Sequence, residues 1–138
     1  MPATPPEPRR SPFQYAIVRV VPSIERGEAV NAGIILFCRP RRFLQARIGL
    51  QEAVVAALVP GWDPSTVRAH LEAIPGICAG EGYAGPIARL SQSERFHWLV
   101  SPSSTMVQPS PVHTGLTVDP EATLAHLFAT LVDRPAPA

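Results

Sequence analysis

Lysine is absent from the chain, so all twelve of its Lys/Arg side chains are arginine. This absence excludes every mechanism that needs a lysine nucleophile, a Schiff base to lysine or the lysine of a phosphate-binding loop. We interpret the use of arginine without lysine, together with the abundant alanine and proline, as a feature of genomic composition.

Cysteine is scarce, and long apolar runs are missing. Cys38 and Cys78 stand forty positions apart with no C-x-x-C pair, which argues against thiolate metal sites and redox motifs. The first residues, MPATPPEPRRSP, have no apolar core of a signal peptide, and no run approaches the roughly eighteen apolar residues that span a bilayer. We therefore expect a soluble protein of the reducing cytoplasm with two free thiols, no cofactor and no membrane association.

Net charge is also low, at +1, because twelve arginines nearly balance eleven acidic residues. Such a balance gives no global field that would attract nucleic acid or an anionic membrane, so neither partner is indicated. Hydrophobic residues make up 46% of the 138 residues, which is enough for the core of one domain. We expect this domain at residues 13–133, between Pro-rich tails at residues 1–12 and 134–138.

Three segments in the first half of the chain are predicted to be β-strands. FQYAIVRVV (13–21) is rich in aromatic and β-branched residues, and EAVNAGIILF (28–37) and FLQARI (43–48) follow it. The second half of EAVNAGIILF is apolar on both faces, which predicts a central position in the sheet. The intervening turns PSIERG and RPRR are short, so the three strands should form an antiparallel meander.

The second half is predicted to be mostly helical, with one further hairpin. Helices are indicated at residues 51–59, after Asp63 and Pro64, at residues 85–94, and after Asp119 and Pro120. FHWLV (96–100) alternates and is predicted to pair with TMVQ (105–108) across the turn SPSS. The predicted fold class is α+β: an antiparallel sheet, formed by an N-terminal meander and a C-terminal hairpin, with three to four helices on one face.

The segment RFHWLVSPSSTMVQPSPVHTGL (95–116) concentrates the polar side chains of an otherwise apolar chain. The predicted hairpin would bring His97 and His113 near one phosphate for metal-independent general acid–base cleavage, with Arg95 pairing with its charge. The remaining hydrogen-bonding groups of this candidate site are Ser104, Thr105, Gln108 and Ser110. The alternative is structural: the histidines lie at the sheet surface or in a loop, and the Ser/Pro cluster forms turns.

Glu28 and Asn31 form a second candidate pair. In regular extended geometry residues three apart face opposite sides, so a bulge at Gly27 or Gly33 would be needed to bring the two together. Glu28 would then act as a base or as a carboxylate that positions Arg19 or Arg95. We favour the structural alternative, in which Glu28 forms a salt bridge and the Asn31 amide satisfies the backbone of a bent strand.

Glu28, His97 and His113 also offer the ligand types of a metal site. One carboxylate and two imidazoles are a set used for zinc and iron. No H-x-x-H or D-x-D spacing couples any two of these residues. We therefore predict no metal.

Arg39, Arg41 and Arg42 form a basic hairpin tip. Such a tip usually is a solvated turn, and contact with nucleic acid is the alternative. Only scattered aromatic residues accompany it, so a stacking platform for single strands is not evident.

Two stretches of the chain, YAIVRVVPSIERGEAVNAGIILF and RFHWLVSPSSTMVQPSPVHTGL, resemble the bacterial family called domain of unknown function 3037. The resemblance extends over residues 13–132. Its most specific pieces are Arg19-Val-Val-Pro22, Gly27-Glu28-x-x-Asn31-x-Gly33 and residues 95–115. Members of that family are often encoded beside HipA-like kinase-fold proteins, so the resemblance implies a protein partner of that type.

Two classes of function follow. In the first, the chain is a small protein-binding accessory module that uses residues 95–115 as its recognition surface. In the second, it is a small metal-independent phosphodiesterase or nucleotide-binding protein with a phosphate site formed by Arg95, His97, Thr105, Gln108 and His113. The absence of any complete catalytic motif favours the first class.

Overall fold

The computed structural model describes residues 8–103 and 105–134. The elements formed by these residues are β1 (Ser11–Val20), β2 (Val30–Cys38), β3 (Phe43–Ile48), α1 (Glu52–Leu58), α2 (Ser65–Ala79), α3 (Gln92–Leu99), β4 (Val107–Pro109), β5 (His113–Thr117) and α4 (Pro120–Leu131). Short 3-10 helices lie at Arg39–Arg41, Gly82–Ala84 and Pro86–Arg89. The predicted α+β class is confirmed. The predicted tails fall largely outside the described residues, and β1 begins at Ser11, two residues before the predicted strand.

β1 lies at the centre of the sheet. One edge of β1 pairs with β2, which pairs in turn with β3, and the other edge pairs with both β4 and β5. All of these pairings are antiparallel. The N-terminal meander is therefore as predicted, and β2 has the central position that its apolar sequence indicated.

β4 and β5 behave as one interrupted strand, which we call the ribbon (residues 107–117). β4 pairs with the end of β1 and β5 with its beginning. At the interruption, the Ile17 amide donates a hydrogen bond to Ser110 Oγ (2.8 Å), and the Ser110 amide donates to the Ile17 carbonyl (2.8 Å). Pro109 and Pro111 flank this serine and have no N–H, so its side chain and amide hold the two halves of the ribbon against β1.

Helices cover both faces of the sheet. Phe13, Tyr15 and Ile17 of β1 pack on the side of α4, whereas Val18 and Val20 face α2 and α3. The prediction that all helices lie on one face was wrong in this respect. Because β1 and β2 carry apolar side chains on both sides, a single helical layer would leave the second apolar face in water.

The helix predicted at residues 85–94 begins later in the structure, because Ser91 is the N-cap of α3. Ser91 Oγ accepts a hydrogen bond from the Glu94 amide (3.2 Å), and the hydroxyl donates to the Glu94 carboxylate (2.9 Å). Ser-x-x-Glu is the sequence signature of a capping box, which starts a helix, and here the carboxylate accepts from the Ser91 hydroxyl in place of the Ser91 N–H. The predicted helix at residues 85–94 is instead a 3-10 turn at Pro86–Arg89 followed by this cap.

The prediction of a second hairpin was therefore wrong. Residues 96–99 belong to α3, and β4 pairs with β1. The aromatic ring of Phe96 is fully buried and lies 5.1 Å, centroid to centroid, from that of Phe37. Burial of a side chain of this size contributes about 2–3 kcal/mol to folding. The short FHWLV run satisfies a strand pattern and a helix pattern equally, and the upstream cap decides between them.

The starts of the other helices follow the predicted signals. Asp119 caps α4 by accepting a hydrogen bond from the Ala122 amide (3.2 Å). Asp63 accepts from the hydroxyl (2.7 Å) and the amide (3.0 Å) of Ser65 at the start of α2. These two hydrogen bonds lower the pKa of Asp63 and keep its carboxylate ionised at the positive end of the helix.

The helices are short. α2 has fifteen residues, contains Pro75 and stops at Gly80, where φ is 73°. Glycine adopts this left-handed conformation without a steric penalty, which makes it a common helix stop. Among the described residues, no helix combines the length and the apolar character that crossing a bilayer requires.

The capping box gives a direct test of α3. Ser91→Ala removes the side-chain cap and should lower the free energy of unfolding by about 1 kcal/mol. The melting temperature of a chain of this size should then fall by roughly 3–5 °C. Ser93→Ala, two residues into the helix, should change the stability by less than about 0.5 kcal/mol. Thermal unfolding followed by circular dichroism compares the two variants, and equal melting temperatures would contradict a helix start at Ser91.

Candidate functional site

The two histidines of the predicted phosphate site lie on opposite faces of the sheet. His113 is paired with Tyr15, whose ring lies 5.2 Å from the imidazole on the side of α4. His97 lies on α3, which covers the other face, and its Nδ1 is 2.6 Å from the Ser93 carbonyl oxygen. Because the sheet separates them, the two imidazoles do not act on one phosphate.

Arg95 is bound to the backbone. Its guanidinium donates to the carbonyls of Leu90 (2.8 Å) and Cys78 (3.3 Å). Cys78 lies in the last turn of α2, where carbonyl groups lack partners within the helix. Arg95 therefore fixes α3 against the end of α2, and its charge is directed at helix carbonyls.

The other polar side chains of residues 95–115 mostly order the turn into β4. Thr105 Oγ1 donates to the Val107 carbonyl (2.9 Å), and the Gln108 amide donates to the Thr105 carbonyl (2.8 Å). Ser110 holds the ribbon to β1, as described above. Ser104 lies outside the described residues.

Glu28 and Asn31 are not brought together. Glu28 forms an ion pair with Arg26 in the turn after β1. Asn31 donates to the Leu131 carbonyl (3.0 Å) at the end of α4. A register shift does occur beside Gly33, but it leaves the two side chains with different partners. Glu28 thus forms a salt bridge, as the favoured interpretation held, and the amide satisfies a helix end rather than a bent strand.

Arg19 has a more central place than the sequence indicated. The pairing of β1 with its neighbours puts Asn31 on one side of it and Gln108 on the other. Its guanidinium donates to the Pro109 carbonyl (3.0 Å), and its Nε is buried with no hydrogen-bond partner among the described residues. This row of three side chains contains no carboxylate or imidazole, so it offers hydrogen bonds but no acid–base catalyst.

An apolar groove of about 360 Å³ lies on the other face, between α2, α3 and β4. Val18, Ile35 and Val107 form its floor, and Trp98, which is 50% exposed, forms part of its wall. Among the residues that the structure describes, no arginine or carboxylate lines it, and Thr105 is the one predicted site residue at its rim. The groove suits an apolar group and lacks the positive charge that a phosphate requires.

Neither cysteine has the environment of a nucleophile. Cys38 and Cys78 are both buried free thiols. Burial raises the pKa of Cys78 to about 12, although the nearby positive charge of Arg95 acts in the opposite direction. The thiol is therefore protonated at neutral pH and unreactive. Among the described residues, no three His, Cys, Asp or Glu side chains are placed to hold a metal ion.

β5 presents a free edge of the sheet. Ile17 directs both its N–H and its C=O toward the ribbon, so by alternation Phe13 and Tyr15 do the same. Their partners, Gly115 and His113, must then direct their N–H and C=O groups toward β1. The intervening residue of β5, Thr114, points its backbone groups outward, where no described segment pairs with them.

The side chains along this edge are apolar and uncovered. Val112 is 38% exposed, Leu116 is 62% exposed and Val118 is 47% exposed. Within β5, Leu116 alternates with His113 and Gly115 and so projects on the side of α2 and α3, and Val112 and Val118 flank the strand on either end. The sequence contained a signal for this edge: residues 107–118 include no charged residue, and residues 112–118 alternate as a strand does.

The role assigned to Arg95 can be tested by stability. Arg95→Gln and Arg95→Lys should each lower the free energy of unfolding by about 1–2 kcal/mol, because neither side chain can reach both carbonyl groups. Arg89→Gln, at an exposed arginine, should change it by less than about 0.5 kcal/mol. Urea denaturation measures all three. If Arg95→Lys is as stable as the parent chain, the two carbonyl contacts do not hold the helices together.

Comparison with known proteins identifies a family but no characterised relative. A family model described as Protein of unknown function (DUF3037) matches residues 15–132. No curated protein and no solved structure is significantly similar to the chain. The matched region runs from β1 to the end of α4 and includes Arg19, Asn31 and the whole ribbon. The chain therefore belongs to the DUF3037 family.

Proposed function

We propose that this chain is a protein-binding module that takes an extended segment of a partner protein as an additional strand on β5. The observation that carries the proposal is the uncharged edge of β5, whose outward backbone groups are unpaired in the part of the chain that is described. Strand addition is a common mode of peptide recognition, in which backbone hydrogen bonds supply affinity and alternate side chains supply specificity.

The edge lacks the protection that monomeric proteins usually give their outer strands. Charged side chains, prolines or bulges normally prevent an edge from pairing with another chain. Pro109 and Pro111 protect the β4 half of the ribbon, but residues 113–118 contain neither proline nor charge. The opposite edge strand, β3, does carry an exposed charge at Arg47. The unprotected edge is thus confined to β5.

The neighbouring surface defines the chemistry of the partner segment. A strand added to β5 would lie beside Leu116 and Val118, so its side chains on the α2/α3 side should be apolar. The exposed Trp98 and the apolar groove lie on the same face of the sheet. We expect the partner to present an extended segment with apolar residues at alternate positions, and the HipA-like kinase-fold protein implied by the family resemblance is the first candidate.

This function needs no catalytic residues, which fits the positions of the candidate residues. The two imidazoles are on opposite faces, and Arg95 is occupied by backbone carbonyls. No observation favours the phosphodiesterase alternative over strand addition.

A proline substitution tests strand addition selectively. Thr114→Pro removes one outward N–H, which an edge strand tolerates when that group faces solvent, and should leave the fold intact while weakening partner binding. Thr114→Ala keeps the N–H and should bind as the parent chain does. Each variant is co-expressed with the HipA-like kinase-fold protein of the same host, and the complex is quantified by native mass spectrometry. Circular dichroism confirms folding of each variant.

Leu116→Ser provides a second variant should the proline prevent folding, because it removes apolar contact at an exposed position. It should weaken the complex by about tenfold, as expected for loss of a well-packed apolar side chain. Equal binding by Thr114→Pro and Thr114→Ala, with Leu116→Ser unaffected, would contradict the proposal. Dimerisation of the purified chain that depends on the Thr114 N–H would assign the edge to a second copy instead.

A further inference from the structure

We propose that one end of the sheet binds the phosphate backbone of nucleic acid, independently of base sequence. This surface, which we call the arginine end, consists of Arg9, Arg10, Arg39, Arg41 and Arg42. All five are exposed, and they make up five of the twelve arginines in the chain. This site is separate from the β5 edge and does not depend on the proposed protein-binding function.

The arginine end is assembled from two segments that are distant in the sequence. Arg41 Nε donates to Ser11 Oγ (2.9 Å), and an Arg41 guanidinium nitrogen donates to the Arg9 carbonyl (2.6 Å). The turn between β2 and β3 is thereby fixed against the start of β1. Arg41 serves as the connector, and the other four guanidinium groups remain directed to solvent.

The positive charge of this surface is not neutralised by the described part of the chain. The ion pairs formed among described residues are Arg26–Glu28 and Arg68–Glu52, both elsewhere. Glu94, in the first turn of α3, follows Gln92 and Ser93, which lie beside this surface. Its carboxylate accepts a hydrogen bond from the Ser91 hydroxyl. Among the described residues, five arginines without an ion pair therefore lie together at one end of the sheet.

The arginines line two depressions, one on each side of the 3-10 helix Arg39–Arg41. Arg39 and Arg42 face the first depression, together with Gln92 and Ser93 of α3. Arg9 and Arg10 face the second, beside Pro40. A single small phosphate contacts one depression at most, whereas a chain of successive phosphates can contact both. A flat bilayer surface reaches concave positions poorly, so a flexible polymer is the better match.

Arg42 ends the 3-10 helix in a left-handed backbone conformation. Its φ is 51° and ψ is 41°, in the left-handed region where glycine or asparagine is normally preferred. The Arg42 amide donates to the Arg39 carbonyl (3.1 Å), and the Arg42 carbonyl accepts from the Gln92 side chain (2.8 Å). The backbone is thus held by both its N–H and its C=O, and Arg42 lines the first depression together with Arg39. Guanidinium groups bind phosphate oxygens bidentately.

No aromatic side chain is exposed in either depression, since Phe37 beside the first is buried. Base stacking is therefore absent from the expected mode, and contacts to the phosphates alone carry no sequence information. The net charge of the chain and the three arginines of the turn do not by themselves indicate a nucleic-acid partner. The structure adds Arg9 and Arg10, which the sequence had placed in a tail.

A pair of matched double variants tests the proposal. Arg39→Gln with Arg42→Gln removes two charges from the arginine end, and Arg26→Gln with Arg68→Gln removes two from the described ion pairs. Both lower the formal net charge from +1 by two, to −1. Fluorescence anisotropy at low salt measures binding of a labelled single-stranded oligodeoxynucleotide and of its duplex. The first double variant should lose about tenfold or more in affinity, and its salt-dependence slope should fall by roughly 2.

The control double variant should keep the affinity and the salt slope of the parent chain. Glu94→Gln, which preserves the helix cap, should strengthen binding because it removes a carboxylate near the first depression. Equal loss in the two double variants would assign binding to net charge alone and overturn the proposal. So would absence of binding to either oligonucleotide, or stronger binding to polyglutamate or to phosphatidylcholine–phosphatidylglycerol vesicles. The Thr114→Pro variant should bind the oligonucleotides as the parent chain does. This result would distinguish the arginine end from the protein-binding edge at β5.

Discussion

The reciprocal hydrogen bonds between Ile17 and Ser110 are the interaction on which the rest of this structure depends. They attach the middle of the ribbon to the middle of β1, although prolines on either side of the serine remove the usual backbone donors. They also determine the phase of the pairing, because the N–H and C=O groups of a strand alternate between its two edges. The groups of β5 that face outward, and are open to a partner, are set by this one attachment.

The polar residues named from the sequence lie on two opposite faces of the sheet. Arg19 and Asn31 support the face covered by α4, and Arg95 supports the face covered by α2 and α3. Each of these three side chains donates to a backbone carbonyl. They therefore stabilise the ends of helices and strands and do not form a catalytic site. The surfaces that we propose for partners are the edge of β5 and the arginine end.

The sequence predicted the parts of the fold that local patterns determine. The meander of β1, β2 and β3 and the Asp119 cap of α4 are as expected, because strand alternation and capping residues act over a few positions. The second hairpin failed because FHWLV fits two periodicities, and the Ser91–Glu94 capping box that resolves the ambiguity lies upstream. Helix placement failed for a different reason: which face a helix covers depends on packing partners far away in the chain.

The candidate residues show the same limit. Gln108 and Asn31 were candidate site residues in the sequence. Their positions on either side of Arg19 follow from the strand register, which residue types alone do not specify. The arginine end depends likewise on a contact between Arg41 and the start of β1, thirty positions away. The free edge of β5 was the recoverable feature, since an uncharged alternating run is visible in the sequence itself.

Amide hydrogen exchange in the isolated chain tests the central claim most directly. If the Ile17–Ser110 attachment sets the phase of the ribbon, the amides of His113 and Gly115 face β1 and should exchange slowly. The amides of Thr114 and Leu116 face solvent and should exchange at nearly the rate of an unfolded peptide. Slow exchange at Thr114 and Leu116 with fast exchange at His113 and Gly115 would contradict the assigned register and, with it, the open edge.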